Sequence, residues 1–568
     1  MQDNFHNRNI EFVSGNNNEN ENIQRQSESS RRGGIGCLKG CAIGCFAILI
    51  IFAIIIWLVY IYCIKGIPMR ISPETTVVSE PLKSDGKSID FFSLIKTEIE
   101  PKDSAKKNGF KDVLEAYGKE LVVASKQDEL SRGWIFAELC KSVDLDPKFT
   151  PAHTYKEPDF TGITPDKENA NGNGNGNGNG NGNGNGDDDI MPDNNRESNE
   201  IVIFQNVLSK DWTIKEYPKL EEWLELVGSG LDIVQKAALE EVYFIPLVRR
   251  NENELTIVSI APAVVSTNRN LMHGLQVRSM LRIGEKEYDK AWDDIIAALH
   301  LRRKLIHRGI QLFDNESDSV KLQMIKTVAE SSFNWKPEQI DKAITSLESI
   351  PPYPKREDLL LVTQYILLDT FSVAGNSKQF VESITSQSID SHPASEQMMK
   401  NMVNLMDICG FNWNIVAKHL NTAVAAHKKT IDEADTEKML NAPSKGFIPE
   451  LDGQLIGKSV HMQSKMTQVF TVSGRSEIAG FIIGEFVPVL EKHIFKQTLN
   501  DEVRCRLLQT ALAISRYKQE HNKYPDSLDQ LKLNPPRIPA MTTNYEITDK
   551  GYKISISDIE LEIISETP

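Results

Sequence analysis

His300 and His307 lie seven positions apart, which places both imidazoles on one face of a helix, among Arg302, Arg303, Lys304 and Arg308. Such a grouping is the raw material of an anion site or, with further ligands, a metal site. No carboxylate or third ligand sits at ligand spacing, so a solvated basic face is the favoured reading. SDGK at 84–87 and SAKK at 104–107 match the S-x-x-K pattern of acyl-transfer enzymes. That chemistry uses the start of a helix, whereas Asp-Gly and loop composition place both matches in turns. H-E-x-x-H, P-loop, G-x-S-x-G and dinucleotide-binding patterns do not occur in the sequence. The residues therefore nominate no catalytic, cofactor-binding or metal-ligating set. A pair of carboxylates converging from distant helices would leave no local signature, which keeps a non-motif hydrolase open.

The cysteines add no chemistry. Of seven, Cys37, Cys41, Cys45 and Cys63 lie in or beside one apolar run, and Cys140, Cys409 and Cys505 are widely separated. Without a C-x-x-C or a Cys/His cluster they make neither a disulfide framework nor a zinc site. The net charge of −15 leaves no basic excess to displace counterions from phosphates, which argues against a nucleic-acid partner.

The element that positions everything else is that apolar run, residues 41–64, CAIGCFAILIIFAIIIWLVYIYCI, which carries no charge. At ~1.5 Å per residue it is long enough to cross a ~30 Å hydrocarbon layer with some tilt. Its fourteen Ile, Leu, Phe and Val residues favour insertion by about −5 kcal/mol or better. Trp57, Tyr60 and Tyr62 gather at its C-terminal end, where amphipathic rings settle among headgroups. A transmembrane helix in a lipid bilayer is the expectation. Arg25, Arg31, Arg32 and Lys39 before it, against Lys65, Arg70 and Lys83 after it, mildly favour an N-terminus in the cytoplasm and a C-terminal ectodomain outside. Gly36, Gly40 and Gly44 recur every four residues. They either form a close-approach face for a homodimer or belong to a juxtamembrane stretch of small residues.

The expected organisation follows from composition. Residues 1–36 are a polar, disordered cytoplasmic tail. Residues 71–165 open the ectodomain, and 166–199 hold a disordered Asn-Gly tract that either joins two domains or is inserted in one. Residues 200–500 read as helical, with Pro218, Pro337 and Pro393 at first-turn positions. YFIPLVR (243–249) and ELTIVSI (254–260) read as a β-hairpin between helices. EYDKAWDDIIAAL (287–299) has the small and apolar spacing of one helix of a helical hairpin. Residues 501–568 hold the end of a long helix, then a Tyr-Pro corner in which Asn522 takes a left-handed cap and Pro525 blocks continuation. Alternating NYEIT, YKISIS and IELEII then form a small antiparallel sheet with a turn at 549–551. The fold class is mainly α, with an N-terminal transmembrane helix and a small C-terminal β element.

Several segments carry a resemblance. In order they are TTVVSEPLKSDGKSIDFFSLI, EYPKLEEWLELV, YFIPLV, RSMLRIGEKEYDKAWDDIIAALHLRRKLIHRG, FNWNIVAKHLN and ALAISRYKQEHNKYPDSLDQL. In these the chain resembles a family of single-pass membrane proteins abundant in planctomycete bacteria, to which no activity or catalytic residue is assigned. The resemblance implies that the Asn-Gly tract is an insertion within one ectodomain. The family usually follows its last motif with an Asp-Pro-Phe segment, where this chain runs KLNPPRIPAMTTNYEI. The last helix and the Tyr-Pro corner also look like the soluble part of type II secretion pseudopilins, although there they follow the N-terminal helix directly and here residues 65–500 intervene. The expectation is a helical interaction or scaffold protein of the bacterial cell envelope, anchored in the cytoplasmic membrane and meeting protein partners there. An envelope hydrolase and a component of a secretion-like assembly are the alternatives.

Overall fold

The computed structural model describes residues 54, 66–101, 108–121, 129–153, 194–249, 256–306, 318–374, 410–429, 431, 471–538, 541–557 and 559–564. The chain divides into two compact units, Met1–Cys63 and Ile64–Pro568. Of the first, Ile54 alone is described, helical and exposed. The expected tail at 1–36, the glycines at 36, 40 and 44, the rest of the 41–64 span and the helix expected near 393–408 lie outside the described residues. Among the described residues no helix is long and apolar enough to cross a membrane.

The second unit is mainly helical. Its helices are α1 (Phe91–Ile99), α2 (Gly109–Tyr117), α3 (Glu129–Ser142), α4 (Asn194–Ser209), α5 (Pro218–Leu239) and α6 (Thr256–Gly284). They continue with α7 (Tyr288–Ile306), α8 (Asp318–Ser331), α9 (Pro337–Glu348), α10 (Arg356–Ala374), α11 (Trp413–Lys428) and α12 (Val472–His521). A three-stranded antiparallel sheet closes the chain: β1 (Asn544–Thr548), β2 (Gly551–Ile556) and β3 (Ile559–Ile564), in the order β1-β2-β3.

The spine is α12. Its 50 residues span about 75 Å at the helical rise. Its first half packs on α10 and α11 in a core that includes Phe91, Phe371, Trp413, Leu420 and Val487. Its second half enters a larger core with Tyr117, Trp223, Trp292, Leu508 and Tyr552. That larger core draws on residues from both sides of the Asn-Gly tract, since Phe110 meets Tyr243 edge to face with centroids 6.1 Å apart. Asn108 fixes the same junction. Its side chain caps α2, accepts from the backbone N–H of Phe244 at 2.8 Å and donates to the Phe244 carbonyl.

Pro218 and Pro337 each occupy the first turn of their helices, α5 and α9. There the missing N–H costs nothing. The helical pair expected around 287–299 is α6 packed on α7, with Ala291, Ala297 and Ala298 buried at its contact. At the corner, Asn522 sits at φ 56°, ψ 19° and ends α12 through its N–H to the Lys518 carbonyl. The sheet pairs Thr548 with Gly551 around Asp549 and Lys550. Tyr552, Ile554 and Ile556 face inward, and Tyr552 Oη donates to the Ala511 carbonyl at 3.3 Å. The sheet thus lies on α12 and α8, supplying the cover an isolated hairpin lacks.

Two expectations are corrected. The hairpin at 243–260 does not form: 243–249 runs extended against Asn108, while Thr256 already opens α6. The β-branched TIVSI segment favours a strand only weakly, and tertiary context overrides such local preference. The apolar run IDFFSLI enters α1, capped by Asp90, whose carboxylate accepts from the Ser93 N–H at 3.3 Å. Residues 194–199, placed in the Asn-Gly insertion, already belong to α4.

Candidate functional site

The site begins with charge on α12. Glu502, Arg506 and Gln509 fall at i, i+4 and i+7, on one helical face, beside buried Val503, Leu507 and Leu508. That face meets Arg303 of α7, the end of α9 at Glu348, and the segment after the corner that carries Asn534 and Arg537. Between them is a cavity of about 200 Å³. Arg303 Nη2 donates to Glu502 Oε2 at 2.7 Å, and the two side chains are 3% and 9% exposed. Arg537 Nε lies 3.8 Å from the other oxygen of Glu502. Its two terminal nitrogens donate to the carbonyls of Glu348, Ile350 and Pro351, closing the far wall. Arg506 Nη1 donates to Gln509 Oε1 and to the Asn534 carbonyl, both at 2.8 Å. Glu348 accepts from Asn534 at 2.7 Å and from Gln509 at 3.2 Å.

Two donors stand outside this network. Nη1 of Arg303 and Nε of Arg506 are buried without a hydrogen-bond partner among the described residues. Burial pulls the Arg506 guanidinium below its ordinary value, and Glu348 partly restores it. On the other side of Arg303 and Cys505 is a second cavity of about 50 Å³. There Asp501 accepts from Arg302 at 2.7 Å and from Arg504 at 2.9 Å. Against the cost of burial, the charges of Arg302, Lys321 and Arg504 hold its carboxyl far below the ordinary carboxylate range.

This arrangement gathers guanidinium donors, and its thiol is held away from nucleophilic chemistry. Burial pushes the Cys505 thiol up to about 12, so at neutral pH it is a thiol, and the thiolate is the nucleophile. The carboxylates of Glu502 and Glu348 already accept from cavity walls. Among the described residues no group of three or more His, Cys, Asp or Glu side chains is placed to hold a metal ion.

The described part of the basic face expected at 300–308 is not a solvated one. Arg303 is 3% exposed and His300 7%, while Arg302 pairs with Asp501 and Lys304 donates to the carbonyls of Ala238 and Glu240. The carboxylates that neutralise it come from α12, about two hundred positions away, so spacing within 300–308 held no sign of them. His300 faces Ser349, with Nε2 and Oγ 3.2 Å apart; His307 and Arg308 lie outside the described residues. Lys87 of the S-x-x-K match at 84–87 sits in a turn built by Asp85, which accepts from the N–H groups of Lys87 and Ser88 at 2.8 and 2.9 Å. The match at 104–107 lies outside the described residues.

Two other groupings were not legible in sequence. Glu491 of α12 is fully buried and accepts from Arg356 at 2.9 Å and from His427 Nε2 at 2.8 Å, joining α10, α11 and α12. Ser229 Oγ lies 3.1 Å from His153 Nδ1, with Ser229 exposed and His153 half-buried. The one local signal for the cavity was the charge block DEVRCR at 501–506, followed at once by the apolar run LLQTALAI. The chain matches no model of a known protein family, no curated protein and no solved structure.

Proposed function

We propose that this chain is a membrane-anchored helical binding and scaffold protein of the bacterial cell envelope. In this reading segment 41–64 spans the cytoplasmic membrane, the N-terminal tail lies in the cytoplasm and the helical body lies outside. The observation that carries it is the attachment of Ile67, three positions beyond the uncharged run. Its N–H donates to the Phe411 carbonyl at 2.7 Å, and its carbonyl accepts from the Trp413 N–H at 3.0 Å. In sequence, the folded body therefore begins within three residues of the end of the oily run. The Arg303–Arg506 cavity gives the helical body a recognition element.

Sedimentation tests the anchor. Full-length protein pellets with membranes from a detergent-free lysate, and protein lacking 41–64 does not; recovery of the full-length chain in the supernatant overturns the proposal. A Lys550→Cys variant, at the exposed β1–β2 turn, tests orientation. A membrane-impermeant maleimide labels it in intact cells, whereas labelling only after lysis reverses the topology.

A second reading, an envelope hydrolase, has one observation in its favour. Hydroxyl and imidazole 3.1 Å apart, as in Ser229 and His153, are within reach for proton transfer. Among the described residues no carboxylate contacts His153, so the orienting third member is missing. Covalent capture of Ser229 by a fluorophosphonate probe would favour this reading, and no capture would remove it.

A further inference from the structure

We infer that the cavity between α7, α9 and the C-terminal half of α12 is a binding site for a monocarboxylate that carries a short apolar group. The argument starts from the two unsatisfied donors. Guanidinium N–H groups withheld from water and left without an acceptor are costly. Both belong to side chains that line the cavity, Arg303 and Arg506, and Arg303 is nine-tenths buried or more, at 3% exposed. A carboxylate supplies two acceptor oxygens to such forks, and charge-assisted bonds of this kind are the strong ones.

The charge balance selects the valence of the ligand. Three guanidiniums line the cavity, from Arg303, Arg506 and Arg537, against two carboxylates, from Glu348 and Glu502. The remainder is a single positive charge. A monoanion neutralises it, whereas a phosphate dianion would reverse it beside the buried Glu502.

The walls select the rest of the ligand. Leu347, Ile350, Pro535 and Met541 also line it, giving the cavity an apolar wall beside the arginines. A cavity of about 200 Å³ corresponds to roughly six or seven waters at ~30 Å³ each. That volume suits a small branched acid or the last side chain and terminal carboxylate of a polypeptide. Both sources present the same chemistry, an apolar branch next to one carboxylate. The inference rests on reading the helical body as a binding protein and not on the membrane anchor, so sedimentation and ligand binding fail separately.

The test uses full-length protein in a non-ionic detergent and titration calorimetry with four probes: isovalerate, isovaleramide, N-acetyl-leucine and inorganic phosphate. Isovalerate binds saturably at one site, and the uncharged isovaleramide binds roughly tenfold to a hundredfold more weakly, as loss of charge-assisted bonds requires. Arg506→Gln weakens isovalerate by a similar factor, while Lys532→Gln, at an exposed position outside the cavity, does not. Tighter binding of N-acetyl-leucine than isovalerate assigns the site to a chain terminus, and the reverse assigns it to a free acid; either supports the inference. Equal binding of acid and amide, preference for phosphate over both acids, or undiminished binding by Arg506→Gln overturns it. Should Arg506→Gln fail to fold, the acid–amide comparison on the unaltered protein still decides.

Discussion

Arg278 grips Asp294 with two parallel hydrogen bonds, Nε to Oδ2 at 2.9 Å and Nη2 to Oδ1 at 2.7 Å, across the α6–α7 contact. The side chains are 6% and 0% exposed. Asp294 also accepts from Arg282 at 2.6 Å and from Gln235 at 2.8 Å, while Arg278 reaches Asp232 at 2.7 Å. Burial works against the Arg278 charge, but Asp294 and Asp232 outweigh it and hold its pKa above the ordinary arginine range. Removing one member of such a group strands the others in a dry interior. Asp294→Asn therefore destabilises the fold by about 3–5 kcal/mol. Asp232→Asn, whose side chain is 56% exposed, costs ~0.2–1 kcal/mol. Urea melts of both variants check the contrast, and equal costs would mean that Asp294 is not the hub.

His300 makes stability sensitive to mild acid. Burial, followed by the nearby Lys304 and Arg303 charges, lowers its pKa from 6.5 to about 4. As pH falls below 6.5 the unfolded chain takes up a proton that the folded one refuses until about pH 4. The unfolded state then binds more protons, and stability falls with pH across that window. Melting temperature therefore drops between pH 7.5 and pH 5. His300→Gln, which keeps a polar group for Ser349, flattens that part of the profile. An unchanged slope in the variant would assign the loss to another group.

Close approach at Gly284 sets a third expectation. A Cβ built there meets the backbone carbonyl of Trp212, which cannot swing aside as a side-chain tip does. Gly284→Ala forces α6 away from the loop that follows α4, and overpacking of this kind costs about 1–3 kcal/mol. Gly228→Ala, on α5, meets nothing within 4 Å and replaces a weak helix former by a strong one, so it stabilises by up to ~1 kcal/mol. Thermal melts of the two variants move in opposite directions.

What was legible in the sequence was what short-range physics controls. Pro218 and Pro337 mark helix starts because a first turn needs no N–H from them, and Asn522 marks a helix end because few residues accept its left-handed backbone. The alternation of NYEIT and YKISIS gave away the sheet and its buried face, since a period of two has one reading over that length. Thr256–Ile260 misled because β-branched residues favour a strand only weakly. The cavity was hidden for a different reason. Arg303 reads as surface from its neighbours in sequence, and only the partner at Glu502 shows that it is interior. A buried ion pair is a statement about two distant segments, and no local period encodes it.

Glu491 gives the last prediction, at lower pH. It is 0% exposed and accepts from Arg356 Nε and Nη2, both at 2.9 Å, and from His427 Nε2 at 2.8 Å. Arg356 in turn lies over the Phe495 ring, 5.0 Å from its centroid. Burial opposes the Glu491 charge, but the hydrogen bonds and charges of Arg356 and His427 outweigh it and lower its pKa below the ordinary value of 4.5. A carboxyl lowered on folding contributes stability that is present above its unfolded value and is lost as pH falls through the folded one. Glu491→Gln, nearly the same shape, leaves Arg356 buried without its counter-charge and costs about 3–5 kcal/mol at pH 7. The difference between the two proteins then shrinks as pH falls below 4.5, because acid protonates Glu491 in the parent and has nothing to protonate in the variant. This limb lies below the His300 window, so urea melts at pH 7.5, 5 and 3.5 separate the two. A pH-independent difference would mean that Glu491 contributes through its shape and not its charge.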